Sequence, residues 1–211
     1  MIRSGILSLM ALLCVACGSV VPRPSPAPLR AVDYPWLLRE PAAFADDFMW
    51  EQRLTAQSAH SEGSLRVAVQ KVANRMTVVG LTPFATKAFV LTQDGPAIDF
   101  KLLTDHEIPF PPRFMLIDIQ RTWLPLGDPA THPRNGVEEF RLDGESVRQT
   151  WRAGRLLERR FKRDEGAPAG ELVITYDGWQ PNGMPRLARV DNWWFGYRLD
   201  VETLTVRALP K

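Results

Sequence analysis

The chain has 211 residues, and its 26 lysines and arginines nearly balance its 24 aspartates and glutamates. The resulting formal charge of +2 excludes a strong overall excess of positive charge, so nucleic acid is not an indicated partner. The two cysteines, Cys14 and Cys17, lie three residues apart near the start, so a disulfide framework is excluded and an ordinary core must stabilise the fold.

The first segment is typical of a bacterial lipoprotein export signal. Arg3 gives a cationic start, and the apolar run that follows has about ten residues, too few for a span of about twenty. Val15-Ala16-Cys17-Gly18 then places small residues before a cysteine, as signal peptidase II requires. We expect residues 1–16 to be removed and Cys17 to be acylated; an ordinary cleaved signal is the alternative.

The residues after Cys17 predict a location and a tether. In enteric-type lipoproteins an Asp in the next position retains the protein in the inner membrane, so Gly18 predicts the periplasmic face of the outer membrane. Prolines then alternate with other residues from position 22 to 28, which favours an extended polyproline II conformation. Residues 17–34 are therefore predicted to be a lipidated Pro-rich tether, and residues 35–211 a single domain.

The domain is predicted to consist mainly of short strands joined by tight turns. Large apolar residues at 65, 67 and 69 alternate with Arg66, Ala68 and Gln70, which is the period-two pattern of a half-buried strand. Asp94-Gly95 is a hairpin signal before a strand at 97–103. Further strands are predicted at 75–79, 87–92, 139–142, 146–152, 156–163, 171–176, 185–190, 195–201 and 204–209.

Two segments favour helix. Residues 36–48 predict a short helix interrupted at Pro41, and residues 112–123 predict a helix that Pro112 begins and Pro125 ends. In the second segment, Phe114, Ile117 and Arg121 follow helical spacing. We infer a mainly β fold with minor α, in which a curved antiparallel sheet forms an unclosed half-barrel with covering helices.

Three stretches resemble, in order, parts of the LolA/LolB group, periplasmic and outer-membrane proteins that carry or receive acylated lipoproteins. They are residues 75–91 with a Leu-Thr-Pro-Phe turn between two strands, residues 108–128 with Ile-Pro-Phe-Pro and Leu-Pro-Leu-Gly, and residues 171–191 in the closing strands. This resemblance covers most of the chain from Phe48 onward. It implies a half-barrel whose helices plug an apolar cavity.

A second resemblance is to LolB-like lipoproteins from gene clusters for aryl-polyene lipid pigments. Their pattern is matched by Trp151, by Glu158-Arg159, by Tyr176 and by Gly196-Tyr197-Arg198-Leu199. Members of that group have no settled biochemical function. The resemblance therefore implies a lipid context rather than a mechanism.

The resemblance also implies site residues. Phe84, with Leu81 nearby, matches an exposed leucine that LolB uses to pass a lipoprotein to the membrane, so both are candidates for insertion into membrane or cargo. Ala85 stands where LolB usually has Gly, and Phe84 folded back onto the core is the alternative. The candidates for lining the cavity, or for simple core packing, are Val78, Phe89, Leu91, Phe100, Phe114, Ile117, Trp123, Trp193 and Trp194.

The sequence contains no recognisable catalytic set, and no metal or cofactor is expected. His60, His106 and His132 lie far apart without metal-ligand spacing, and no Gly-x-Ser-x-Gly motif is present. A basic strip follows one predicted hairpin and is either a solvated face or a contact for anionic headgroups. It consists of Arg148, Arg152, Arg155, Arg159, Arg160, Lys162 and Arg163.

These features predict a non-enzymatic outer-membrane lipoprotein that binds an acyl or polyene lipid, or lipidated cargo, in its half-barrel. Its expected partners are membrane lipid through acylated Cys17, the hydrophobic lipid or cargo, and a periplasmic carrier protein. Nucleic acid is not an expected partner, and a monomer is expected. The alternative is an assembly factor that binds protein partners and has no lipid cavity.

Overall fold

A computed structural model describes residues 34–59, 62–105, 111–128, 132–165 and 169–210. These residues form eleven strands and one α-helix. The elements are β1 Phe48–Ser58, β2 Glu62–Val72, β3 Arg75–Leu81, β4 Lys87–Asp94, β5 Ala97–Leu102, α1 Pro112–Trp123, β6 Gly136–Leu142, β7 Glu145–Arg152, β8 Arg155–Arg163, β9 Glu171–Trp179, β10 Pro185–Asn192 and β11 Tyr197–Ala208.

All eleven strands lie in one antiparallel sheet. The order across the sheet is β5-β4-β3-β2-β1-β11-β10-β9-β8-β7-β6, so β1 pairs with the last strand and the two halves meet there. Strands β5 and β6 are the free edges, and they do not pair with each other. The predicted mainly β, unclosed half-barrel is therefore confirmed.

One face of the sheet carries the core, as the alternating burial along each strand shows. In β4, Phe89, Leu91 and Gln93 are buried and alternate with more exposed neighbours. Met76 and Val78 of β3 are buried in the same way. Since successive side chains of a strand point to opposite faces, these residues define the inner face of the half-barrel.

Helix α1 packs on the inner face, with the bounds that the sequence predicts. Pro112 begins it, and after Trp123 the backbone N–H of Leu124 still bonds the Gln120 carbonyl before the chain becomes extended. The sequence predicts several covering helices, but α1 is the sole α-helix in the described ranges. No helix in those ranges is long and apolar enough to cross a membrane.

The helix predicted at residues 36–48 is wrong. The chain there is extended apart from a single 3-10 turn at Pro41–Ala43, and it enters β1 at Phe48. Trp36 has a φ of 146°, a conformation that side-chain-bearing residues rarely adopt. Tertiary contacts hold this segment against the helix and sheet, and residues 34–39 are called the strap below.

The two strands predicted at 195–201 and 204–209 are one continuous strand, β11. It pairs with β1 along its whole length, and Leu204 of β11 is the extra residue of a bulge opposite Glu51 and Gln52 of β1. At the predicted break, Glu202 lies opposite Arg53 and accepts a hydrogen bond from it at 2.9 Å. Two consecutive polar residues, Glu202 and the buried Thr203, therefore gave the appearance of an interruption.

Gly80 in β3 has a packing role that can be tested. A Cβ there would lie 2.2 Å from the nearest ring atom of Phe89, which is paired with Gly80 across the strands. We expect Gly80→Ala to lower the free energy of unfolding by about 1–3 kcal/mol through overpacking. Gly63→Ala is the matched control, because a Cβ at this other strand glycine meets nothing within 4 Å. Equal effects of the two substitutions in denaturant titrations would contradict this role.

Candidate functional site

The centre of the inner face is a buried ion pair between helix and sheet. Arg121 of α1 and Glu145 of β7 are both 0% exposed, and the Arg121 Nη2 donates to the two carboxylate oxygens at 2.8 and 2.9 Å. The same nitrogen donates to the backbone carbonyl of Pro35 in the strap. Burial raises the pKa of Glu145 and the Arg121 charge opposes this rise. One guanidinium therefore joins the helix, the sheet and the strap.

Aromatic rings enclose the Arg121 guanidinium. Its central carbon lies 4.4 to 5.7 Å from the centroids of four rings, those of Tyr34, Trp36, Phe161 and Trp194. Cations at this distance from an aromatic ring are attracted by the charge distribution of the ring. The Nε and Nη1 atoms of Arg121 have no hydrogen-bond partner among the described residues. Attraction to the surrounding rings therefore takes the place of hydrogen bonds at these two atoms.

A second buried cluster surrounds Asp118, one turn earlier in α1. Its carboxylate accepts hydrogen bonds from the hydroxyls of Tyr34 and of Tyr197, the latter at 2.6 Å. Asn192 Nδ2 donates to the Tyr34 hydroxyl at 3.1 Å. Burial raises the pKa of Asp118 to about 6, although the two tyrosine hydroxyls, and then the Arg121 charge, pull it down. The cluster joins the start of the strap to α1, β10 and β11.

The end of the strap is held by two glutamines. Gln120 of α1 accepts from the Arg39 backbone N–H at 2.9 Å and donates to the Arg39 carbonyl at 2.6 Å. Gln93 of β4 donates to that same carbonyl at 2.8 Å. On the other side, the Arg39 guanidinium pairs with Asp143, between β6 and β7, at 2.7 Å. The strap thus bridges from β4, near one edge of the half-barrel, to the β6–β7 turn at the other.

The predicted basic strip is wrong for Arg159. This side chain is 4% exposed on the inner face, where Nη1 donates to the carbonyls of Arg121 and Leu124 at the end of α1. Its Nε and Nη2 donate to Gln149. Burial lowers the pKa of Arg159. Arg159 therefore caps the helix from the sheet and is not available to headgroups.

Other members of the strip lie on the outer face beside acidic residues. Arg160 bonds Glu158 and Glu171 at 2.6 and 2.9 Å, and Arg148 is 3.4 Å from Glu139. They line a shallow concavity of about 520 Å³. With acidic partners so close, this surface is mixed in charge, which favours the solvated-face interpretation.

Most of the nine candidates for cavity lining are packed in the core. Six are buried in the core, among them Leu91, Ile117 and Trp194 at 0–1% exposure. Phe100 and Trp123 pack against the core as partly buried residues, and Trp193 is the one candidate outside this cluster. The concavity of about 520 Å³ and a second of about 460 Å³ are lined by none of the nine. The inner face is thus occupied by the chain itself.

Phe84 lies at the tip of the β3–β4 turn and is 88% exposed, whereas Leu81 is half-buried at its base. The Thr82 hydroxyl bonds Thr86 at 2.7 Å and closes the turn. Ala85 has a φ of 60°, in the left-handed region that glycine adopts freely. The turn therefore presents Phe84 to solvent, and its insertion into lipid or cargo stays a prediction.

Apolar side chains continue from this turn along the inner face. Leu102 lies opposite buried Phe89, so it faces inward, yet it is 39% exposed. Leu54 and Leu65 face each other across β1 and β2 at the same end and are only partly buried. The inner face is therefore incompletely covered at the end that carries Phe84.

Several predicted residues lie outside the described residues or apart from the site. Cys17, Gly18, His60 and His106 fall outside the described ranges. His132 bonds Glu138 at 2.8 Å and stacks on Trp151. The described residues hold no group of three or more potential metal ligands.

Sequence reasoning missed the polar centre of the inner face. Arg121 occurs in the apolar stripe of the predicted helix, and Asp118 lies three residues before it on a neighbouring position of the helix surface. Charged residues in a buried stripe are almost always paired, which was an available signal. The partners Glu145 and Tyr197 are far away in sequence, and no local pattern indicates them.

Comparison with known proteins gives one family and several similar folds. The family described as "Protein of unknown function (DUF3261)" matches residues 49–205. Similar solved structures include a LolA superfamily protein from Nitrosomonas europaea, with 13% identity, 82% of this chain and 90% of that chain covered, and a TM-score of 0.46. No curated protein matches the chain.

Two further structures have a similar level of likeness. An outer membrane lipoprotein-sorting protein domain from Vibrio parahaemolyticus has 11% identity over 77% of this chain and 85% of that one, with a TM-score of 0.40. A DUF1329 family protein from Desulfovibrio piger has 9% identity over 79% and 88%, with a TM-score of 0.39.

The buried Asp118 carboxyl predicts a specific pH dependence. Its pKa is about 6 in the folded chain and 3.8 when unperturbed, so the folded state binds the proton more tightly. This tighter proton binding stabilises the folded state at low pH, and the stabilisation is lost as the pH rises through 6. Relative to Asp118→Asn, the wild-type free energy of unfolding should fall by up to about 3 kcal/mol between pH 4 and pH 8. Urea titrations across this range test it, and a difference that is independent of pH would contradict it.

Proposed function

We infer a function from the premise that this chain belongs to the DUF3261 family, whose description assigns none. We propose that it is a lipoprotein of the outer membrane, anchored on the periplasmic face by acylated Cys17. In this proposal it binds an acyl or polyene lipid, or lipidated cargo, and delivers or assembles it at that membrane without catalysing a reaction. A periplasmic carrier protein is the proposed donor of the cargo.

The exposure of Phe84 is the observation that carries this proposal. A phenylalanine that is 88% exposed loses the free energy of apolar burial, about 1.5–3 kcal/mol, unless something covers it. The turn holds it away from the body of the domain, so its own core does not cover it. A bilayer or an acyl chain supplies the missing apolar contact.

The partly covered inner face next to Phe84 supplies a route for an apolar chain. Leu54, Leu65 and Leu102 lie at this end of the half-barrel and retain accessible apolar surface. Deeper entry requires the strap or α1 to move, because these two elements fill the inner face. The strap is the better candidate to move, since its Trp36 is held in a strained conformation.

The sequence before the domain supports the anchoring part of the proposal. Val15-Ala16-Cys17-Gly18 matches the requirement for acylation. Position 18 is Gly and not the Asp that retains enteric-type lipoproteins in the inner membrane. The alternating prolines that follow favour an extended spacer. An extended spacer lets a small domain turn the Phe84 end toward the membrane or away from it.

A second candidate function is a non-enzymatic assembly factor that binds protein partners. The packed inner face favours it, because Arg121 and Asp118 hold the strap in place through buried polar contacts. In this case no lipid needs to enter the half-barrel. Crosslinking in cells separates the two functions, since protein adducts without lipid adducts favour the second.

Lipid extraction tests the first function directly. A soluble form that begins at Gly18 should co-purify with acyl lipid, or take up palmitate added to it, because the inner face offers apolar contact without demanding a particular headgroup. Mass spectrometry of organic extracts and palmitate titration provide the measurement. Absence of both bound and titratable lipid would leave the assembly-factor function in its place.

Phe84→Glu tests the exposed turn. We expect the soluble form to lose roughly tenfold or more of its affinity for phosphatidylethanolamine–phosphatidylglycerol vesicles, because a charged side chain replaces an inserted ring. Its thermal unfolding should not change, since Phe84 makes little contact with the core. Val72→Glu is the control, as it adds the same charge at an exposed apolar residue on the opposite end of the sheet. Equal flotation of both variants with vesicles would count against membrane insertion, and unfolding of Phe84→Glu would show a core role.

A further inference from the structure

Strand β5 leaves one edge of the sheet without a partner. It is the first strand in the sheet order, and no described residue pairs with its outer side. It is also the strand with the least burial, and both Ile98 at 37% and Leu102 at 39% are exposed although they face inward. An uncovered edge with apolar side chains is a template for pairing with another strand.

The backbone hydrogen bonds show which groups of β5 point outward. The N–H of Leu103 bonds the Ala88 carbonyl of β4, in register with the rest of the β4–β5 ladder. Because the bonding direction alternates along a strand, Asp99 and Lys101 also direct their backbone groups to β4. The N–H and C=O groups of Ile98, Phe100 and Leu102 therefore point out of the sheet.

The side chains of β5 make it complementary to an antiparallel copy of itself. With Phe100 on a two-fold axis, Ile98 lies opposite Leu102 of the second copy, and Asp99 lies opposite Lys101 of the second copy. The outward backbone groups of Ile98, Phe100 and Leu102 then meet in register and form hydrogen-bonded pairs. Asp99 and Lys101 fall in the closer, non-hydrogen-bonded pairs, where side chains are nearest.

We propose that β5 is a homodimer interface, through which two copies of this chain pair edge to edge in an antiparallel arrangement centred on Phe100. Within one chain Asp99 and Lys101 are 3.7 Å apart and both are about two-thirds exposed, so they are free to exchange for partners across the interface. Charges on an edge strand normally discourage pairing. Here they are of opposite sign and symmetric about Phe100, so only the self-complementary register satisfies both.

The other free edge, β6, fits a second copy less well. The same operation about Phe140 would place Glu138 opposite Leu142 on the inner face. Glu138 already bonds His132 at 2.8 Å, and the chain near residues 134–135 bonds the β7–β8 turn beside this strand. This difference favours β5 as the pairing edge and revises the expectation of a monomer.

The dimer has a consequence for orientation. A two-fold axis perpendicular to the sheet reverses the strand direction, so the Phe84 turns of the two copies point to opposite ends. Pairing through β5 and simultaneous insertion of both Phe84 side chains into one bilayer are therefore alternatives. Tethering of both copies to one membrane would also raise their local concentration. A higher local concentration favours pairing through an interface of small contact area.

Single-cysteine crosslinking of the full lipidated chain in cells tests the register. In a hydrogen-bonded pair the two Cα atoms at position 100 lie about 5.5 Å apart, within the range for a disulfide. Phe100→Cys should therefore form a disulfide-linked dimer under mild oxidation. Ile98→Cys is the matched control, because its two copies lie roughly 13 Å apart along the strands and are too distant to link. The double variant Ile98→Cys/Leu102→Cys should link again.

A charge exchange tests the interface without touching the core. Asp99→Lys places two lysines opposite each other, so dimer captured by an amine-independent photo-crosslinker should fall about tenfold, and the double variant Asp99→Lys/Lys101→Asp should recover it. Equal crosslinking of Phe100→Cys and Ile98→Cys, or no rescue by the double variant, would overturn the inference. This result is separate from palmitate uptake and vesicle binding, which are measured on the soluble form that begins at Gly18.

Discussion

The architecture depends on a charge that is held inside the half-barrel. Arg121 and Glu145 are both fully enclosed, and removing one partner of such a pair leaves an uncompensated buried charge, which costs about 3–5 kcal/mol. Replacing both by apolar residues is often harmless, so the pair specifies an arrangement more than it adds stability. That arrangement is the simultaneous placement of helix α1, strand β7 and the Pro35 carbonyl.

The strap follows from this constraint. Once Pro35 is bound by Arg121, Tyr34 reaches Asp118 and Trp36 packs over the guanidinium, which holds Trp36 in a backbone conformation that is normally left to glycine. The strap and α1 together cover an apolar face that eleven strands alone would leave open. Any apolar ligand for the inner face therefore competes with the strap, whose first residue, Tyr34, is the last residue of the predicted tether. The proposed anchor and the proposed binding surface are thus directly connected along the chain.

The unclosed sheet presents two separate exposed surfaces. At one end of the half-barrel, the β3–β4 turn carries Phe84 beside partly covered leucines, which suits contact with lipid. Along its edge, β5 exposes backbone groups and a self-complementary pair of charges, which suits contact with another chain. Closure into a barrel would pair every strand on both sides and remove this edge. The proposed pairing of two copies therefore uses what the unclosed sheet leaves exposed, whereas the proposed lipid contact uses one end of it.

The sequence by itself determined the local structure, that is, helix α1, most of the strands and the turn between β3 and β4. Helix α1 was predicted to the residue, because prolines bound it and its apolar spacing is clear. Most strands and the turn between β3 and β4 followed from alternation and turn residues, whose causes lie within a few positions. The exposure of Phe84 in that turn was implied only by the resemblance to LolB. The helix predicted at 36–48 failed because apolar content there reflects contact with distant parts of the chain rather than helical periodicity.

The tertiary structure alone decided what fills the half-barrel. Asp118 meets Tyr34 and Tyr197 across 84 and 79 positions, and no local pattern records such a contact. The same limit explains Arg159, which looks like one more cation in a basic strip until the fold turns it inward beneath the end of α1. Alternation shows that side chains share a face, but burial and pairing depend on which element packs against that face, and only the folded chain brings those elements together.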